Sequence, residues 1–193
     1  MPFVEVISFV ASDALHHDLS REDSPLRQLS ACEGCLDLVQ GRQVEDTHRL
    51  YFIATWKSYE VYDQATRGTS YASFMAYIVQ HNISDASVQH FEVDGDPHRA
   101  LTAPVTEIVF LKSKEADWRW NQEMCVGIAG AQRGLYFVEG GHPPLRWGEM
   151  KDGTGRYFML VGWDSVEAHF RAAKEKPLKK HSAPTARGAL HVR

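Results

Sequence analysis

A chain of 193 residues, 44% hydrophobic and 24% charged, has room for one large domain or two of about a hundred residues, each with a buried core. The formal net charge of -4, with acids and bases interleaved, argues against a nucleic-acid partner, and the one basic cluster, Lys174 to Lys180, is interrupted by Glu175. No window approaches the roughly 18 apolar residues of a membrane span, and no signal peptide precedes the first strand pattern, so a cytoplasmic protein with no membrane partner is expected.

Phe3 to Val10 reads as a first strand, and Ser24 with Pro25 opens a helix running to about Ala31. Cys32 and Cys35 follow. In a thioredoxin-like motif the CxxC leads from a strand into a helix; here it leads from a helix into the strand 35–40, and no second pair completes a zinc site. Two reduced, structural thiols are the favoured reading. Strand 49–56 comes next, then a helix capped by Ser58, a helical piece over about 71–79 and a strand over about 86–93. Asp94 to Pro104 is a polar, turn-rich linker. Beyond it, 105–112 is a strand, Ser113 caps a helix through about Ala129, and Leu135 to Val138 reads as the next strand. A longer hairpin, His142 to Trp147, precedes strand 156–163. Ser165 caps a helix to about Lys174, and the last strand covers about 188–193.

These elements repeat. RLYFIATWKSYEVY (49–62) matches RYFMLVGWDSVEAH (156–169), pairing Arg49 with Arg156, Trp56 with Trp163, Ser58 with Ser165 and Glu60 with Glu167. Glu5 pairs with Glu107, Gly34 with Gly134 and His90 with His191. Each half, 1–100 and 101–193, thus reads as a ferredoxin-like βαββαβ unit of an α+β fold, with helices on one sheet face and the other face bare. Strand 49–56 is apolar on both faces and must be buried on both. The two bare faces are therefore expected to close on each other, giving a monomeric pseudo-dimer or, with a second copy, a homodimer.

The strand-ending motif, Trp56-Lys-Ser-Tyr-Glu60 and Trp163-Asp-Ser-Val-Glu167, resembles the antibiotic-biosynthesis-monooxygenase-like (ABM) branch of the dimeric α/β-barrel superfamily, in the tandem two-copy form familiar from fungi. The resemblance covers nearly the whole chain. It implies an intramolecular dimeric α/β barrel with small hydrophobic or phenolic ligands bound between a sheet and its helices. The family's activities include cofactor-free monooxygenases, haem-degrading enzymes, decarboxylases and cyclases. Its haem-binding members carry a histidine about ten residues past the Trp, where this chain has Thr66 and Ala173.

With no GxGxxG, P-loop or HExxH, neither cofactor nor metal is implied, and chemistry falls to acid–base groups, His above all among the 10 histidines. Strands 1 and 4 are neighbours in a ferredoxin-like sheet, so Glu5 and His90 should meet. They form either an acid–base pair or a structural polar bridge. Glu107 and His191 would be the same pair in the second half. His16 and His17 lie on an insertion of the first half, as catalytic or lid residues or as an exposed loop. Trp56, Tyr71, Trp118, Trp120 and Trp163 are the aromatic candidates to line a substrate site, although Trp56 and Trp163 suit a core better. The expected function is a cofactor-independent enzyme on a small aromatic or polyketide-like substrate, performing isomerisation, cyclisation or decarboxylation with His as proton carrier. The alternatives are an ABM-type monooxygenase and a non-catalytic small-molecule binder.

Overall fold

The computed structural model describes residues 1–12, 15, 25–84, 86–112, 118–151, 155–175 and 186–192. Its elements follow the order β1 (Phe3–Val10), α1 (Pro25–Ser30), β2 (Cys35–Gln43), β3 (Arg49–Trp56), α2 (Tyr59–Thr66), α3 (Thr69–His81), β4 (Ser87–Val93), α4 (His98–Leu101), β5 (Val105–Lys112), α5 (Trp118–Leu135), β6 (Gly141–Met150), β7 (Arg156–Trp163), α6 (Val166–Glu175) and β8 (Ala186–Val192). The strands close into an antiparallel barrel in the order β1-β3-β2-β8-β5-β7-β6-β4. Each half contributes one four-strand run, β4-β1-β3-β2 and β8-β5-β7-β6. The runs meet at β2·β8, from Gly41↔Val192 to Gln43↔Leu190, and at β4·β6, from Phe91↔Met150 to Val93↔Gly148.

Alternation along the strands divides the apolar residues between two kinds of core. Phe3, Ile7, Phe9, Leu50, Phe52 and Trp56 pack under α1 and α3 against Leu29, Phe74 and Ile78. Val4, Val6, Ile53 and Phe91 turn the other way, into the barrel, where they meet Ile108, Phe158 and Leu160 of the second half. The rings of Phe91 and Phe158 stack there with centroids 4.3 Å apart. β3 therefore feeds both cores, as its two apolar faces require. A third core joins β5 and β7 to α5 and α6 through Val105, Ile128, Leu135, Val161, Trp163 and Ala168. At the β4·β6 seam the backbones approach so closely that a Cβ on Gly148 would lie 1.8 Å from the Glu92 carbonyl oxygen.

The second strand of the second half lies elsewhere than its sequence suggests. Leu135 ends α5 and is buried in the third core, residues 136–140 form turns, and β6 begins at Gly141. The counterpart of Gly34 is Gly140, not Gly134. Both have left-handed backbone, φ +80° and +79°. Their carbonyls accept from Lys57 N at 2.9 Å and Asp164 N at 2.8 Å, and a Cβ on either would strike Val61 or Ala168. His142 to Trp147 is strand, part of β6, and not a hairpin tip. Two of the expected Ser caps form, Ser58 Oγ accepting from Val61 N and Ser165 Oγ from Ala168 N, while Ser24 and Ser113 lie outside the described residues. No helix among the described residues is long and apolar enough to cross a membrane.

Candidate active site around Glu5

Glu5 shares the helix-covered face of β1 with Phe3, Ile7 and Phe9, so a carboxyl group sits inside an apolar layer, fully buried. Leaving water costs a carboxylate several kcal/mol unless donors replace the lost hydration. Three groups converge on one of its oxygens. Tyr71 on α3 donates to Oε1 at 2.6 Å, Tyr62 on α2 donates to it at 3.2 Å, and His90 Nε2 on β4 lies 3.3 Å away. The register Glu5↔His90 across β1 and β4 brings the last contact, as the sequence predicts.

Tyr62 also touches His90 Nε2 at 2.8 Å. With a single hydroxyl hydrogen, Tyr62 donates either to Glu5 or to His90. When Nε2 carries its proton the chain runs His90 to Tyr62 to Glu5; when it does not, Tyr62 turns to the imidazole and Tyr71 holds the carboxylate. A proton on His90 is thereby one phenol away from a buried carboxyl. The His90 ring stacks on Phe3, 5.6 Å between centroids and 16° between planes, and its side chain is 31% exposed, so the relay reaches the surface. Burial, and then the charge of Glu5, holds the hydroxyls of both Tyr62 and Tyr71 far above the usual phenol range. They are donors throughout the physiological range and not bases.

The other oxygen differs. Glu5 Oε2 is buried and has no hydrogen-bond partner among the described residues, and the same holds for Trp56 Nε1, on the same face of the neighbouring strand. The aromatic rings of this core pack on one another, with centroids 4.8 Å apart for Phe3 and Tyr62, 5.9 Å for Trp56 and Tyr62, and 6.3 Å for Tyr71 and Phe74.

The second half is built differently. Glu107 accepts from Trp163 Nε1 at 3.2 Å and lies 3.3 Å from His169 Nε2. His169 stands where the first half has Tyr62, each six residues past its strand-ending Trp. The side chain of His191, the expected partner of Glu107, lies outside the described residues. The register opposes Ala189 to Glu107 and His191 to Val105, a slip of two residues from the sequence alignment. Trp163 is thus tied to Glu107, and Trp56 is fully buried.

His16 and His17 lie outside the described residues, as do the side chains of Trp118 and Trp120 in the first turn of α5. Sequence reasoning missed Tyr62 and His169. They occupy the same position of the two aligned blocks, six residues past the strand-ending Trp, but one of several at which the blocks differ. Among the described residues no three His, Cys, Asp or Glu side chains group as metal ligands. Cys32 and Cys35 are unpaired thiols at the α1–β2 junction, and burial, reinforced by the neighbouring Cys32 and acids, pushes the Cys35 thiol up to about 12.

No family model and no curated protein matches the chain. Solved structures do. A "putative monooxygenase" of Fusobacterium nucleatum superposes with a TM-score of 0.75 at 14% identity, over 99% of this chain and 92% of that one. A protein of the same name from Lactobacillus acidophilus gives 0.67 at 13%, over 99% and 93%. An anthrone oxidase-like protein gives 0.69 at 13%, over 100% and 91%. At such identities the likeness is one of fold, an α+β ferredoxin-like architecture shared over the whole chain.

Proposed function

We propose that the chain consists of two ferredoxin-like ABM-type repeats, 1–100 and 101–193, paired as an intramolecular dimeric α/β barrel, and that the first repeat is a cofactor-independent enzyme acting on a small aromatic substrate. The strand orders β4-β1-β3-β2 and β8-β5-β7-β6, and the matched roles of Gly34 and Gly140, support the repeat. The observation that carries the chemistry is the convergence of Tyr62, Tyr71 and His90 on a fully buried Glu5. Such a relay suits removal of a proton from a phenol or an activated methylene held against the Phe3, Tyr62 and Tyr71 rings.

The resulting anion is electron-rich enough to reduce dioxygen itself. For an activated methylene, one oxygen atom replaces two hydrogens as a carbonyl and the other leaves as water, so the substrate supplies all four electrons. The full-length neighbours named as monooxygenases favour this outcome. The second reading, isomerisation or cyclisation without oxygen, is favoured by the relay itself, since its exposed His90 end is placed to return a proton at a second position. Anthrone, with its activated methylene, tests both in an oxygen-electrode assay with product analysis. Oxygen consumed one-to-one with substrate supports the monooxygenase. Product without oxygen uptake supports the isomerase, and saturable binding with no turnover would leave a binding protein and refute catalysis.

A further inference from the structure

The β4·β6 seam brings a side chain of the second half to the first half's site. The pairing Phe91↔Met150 continues one step past the end of β6, where Lys151 N donates to the His90 carbonyl at 2.9 Å. Lys151 therefore stands opposite His90 and shares its face of the sheet. Its ammonium lies 2.8 Å from Glu92 Oε1 and 5.9 Å from the centre of the Tyr59 ring. Tyr59, the first residue of α2, packs edge-on against Phe3 at 5.3 Å, and Phe3 is the ring on which the His90 imidazole stacks.

The chain contains its own control for this arrangement. The β2·β8 seam is the counterpart of β6·β4: Gly41 faces Val192 as Gly148 faces Val93, and Gln43 faces Leu190 as Met150 faces Phe91. The residue after Gln43 is Val44, in the place of Lys151, and the one before Leu190 is Ala189, in the place of His90. Val166 follows Ser165 where Tyr59 follows Ser58. One seam thus closes with no cation, imidazole or ring at these positions, so closure of the barrel does not call for Lys151. The cation accompanies the imidazole.

The acid that Lys151 holds indicates its role. Glu92 lies two residues from His90 on the same strand and the same face, about 7 Å along, and it faces Phe3 across β1. The half-exposed imidazole has partners in two directions. Inward are Tyr62 at 2.8 Å and Glu5 at 3.3 Å; outward is the Glu92 carboxylate, which attracts a protonated ring. Lys151 engages that carboxylate. A surface ion pair adds little to stability, but here it decides between two partners for one ring.

We propose that Lys151 is a positioning residue: by engaging Glu92 it keeps His90 turned inward on Tyr62 and Glu5, so that the second half serves the first half's site. The inference rests on the reading of Glu5, Tyr62 and His90 as a proton relay. The placing of the imidazole is observable without turnover, so its fate is separable from that of catalysis.

The test is epistasis between Lys151 and Glu92, read in two ways on the full chain. Nitrogen–proton correlation spectra of the imidazoles report the hydrogen bonding of His90 Nε2, its signal being assigned by its loss in His90→Gln. Deuterium uptake at the methylene of anthrone, without oxygen, reports proton abstraction. Lys151→Met keeps the stem and removes the charge. It is expected to displace the His90 signal and to slow the exchange roughly 10- to 100-fold, the scale on which misplacing a reacting group acts, with the melting temperature little changed. Adding Glu92→Gln, which removes the competing charge, should restore both readouts, and Lys151→Arg should keep both. A folded Lys151→Met with the wild-type spectrum and rate would overturn the proposal. So would losses that Glu92→Gln does not relieve, the mark of a merely structural lysine. Lys151→Gln takes the place of Lys151→Met should the latter not fold. If the His90 signal moves and returns as expected while wild type exchanges no deuterium, the positioning stands and the catalytic reading falls. Exchange by wild type, with a His90 signal indifferent to Lys151→Met, would overturn the positioning and leave the catalytic reading standing.

Discussion

Removing the Tyr62 hydroxyl tests the relay with the least disturbance to packing. Tyr62→Phe keeps the ring contacts with Phe3, Trp56 and Tyr71, at 4.8, 5.9 and 6.1 Å between centroids, and deletes one oxygen. That oxygen makes two useful contacts, with Glu5 Oε1 at 3.2 Å and His90 Nε2 at 2.8 Å. A hydrogen bond to a charged group is worth about 1.5–3 kcal/mol. The loss is softened here, because Tyr71 stays on Oε1 at 2.6 Å, His90 remains 3.3 Å from it, and water reaches the imidazole. A cost of about 1–2 kcal/mol is expected, which for a chain of this size lowers the melting temperature by about 2–8 °C. The kinetic effect should be larger. With the bridging phenol gone, proton exchange between His90 and Glu5 must cross the long direct contact, and loss of a positioned acid–base group costs roughly 10²- to 10⁴-fold in rate. Thermal melts and a pH–rate profile, run side by side on wild type and variant, separate the two effects. A folded Tyr62→Phe protein with unchanged rate and an unchanged pH profile would refute the relay.

Three further outcomes are expected. Cys35, with its thiol pushed up to about 12, should alkylate far more slowly at pH 8 than the exposed Cys125, and Cys32→Ala/Cys35→Ala should keep both fold and activity; loss of activity in a folded double variant would restore a redox role. The hydrogen bond and charge of Asp37 raise the pKa of His98 above its ordinary value, so the pair's contribution to stability is complete below about pH 6.5 and lost as pH rises through the folded value. Because His98 is exposed, Asp37→Asn should remove only a few tenths of a kcal/mol of that pH dependence, read from denaturant titrations at pH 5.5 and 8.5; a pH dependence identical to wild type would contradict the assignment. Expressed alone, residues 1–100 would bare Val4, Val6, Ile53, Phe91 and Val93, and should self-associate or precipitate, whereas a stable monomer by sedimentation would argue against paired repeats.

The strands were legible because their period of two is explicit, and the apolar character of β3 on both faces already required a second layer. The Glu5–His90 contact was legible for a topological reason: strands 1 and 4 are neighbours in a ferredoxin-like sheet, and their register follows from the alternation. Tyr62 was not legible, because whether a helical side chain reaches a strand residue depends on how α2 is seated, and the Ser58 cap and the packing of Val61 set that in three dimensions. The second half misled at two places. An apolar run after Gly134 fits a strand or a helix end equally, and burial of Leu135 decided for the helix. A short terminal strand such as β8 carries too few residues to fix its register from sequence, and its backbone pairs two residues away from the sequence alignment, with Ala189 opposite Glu107.

Proton abstraction by the Glu5–Tyr62–His90 cluster is the step shared by the oxygenase and isomerase readings, and it is observable without either product. Anthrone incubated anaerobically in deuterium oxide reports it by mass spectrometry, as uptake of deuterium at the activated methylene. Wild type should accelerate that exchange over buffer, and Glu5→Gln, if folded by thermal melt, should lose the acceleration by roughly 10²- to 10⁴-fold. Exchange no faster than in buffer with wild type, or undiminished in folded Glu5→Gln, would contradict the assignment of Glu5 as the centre of the site.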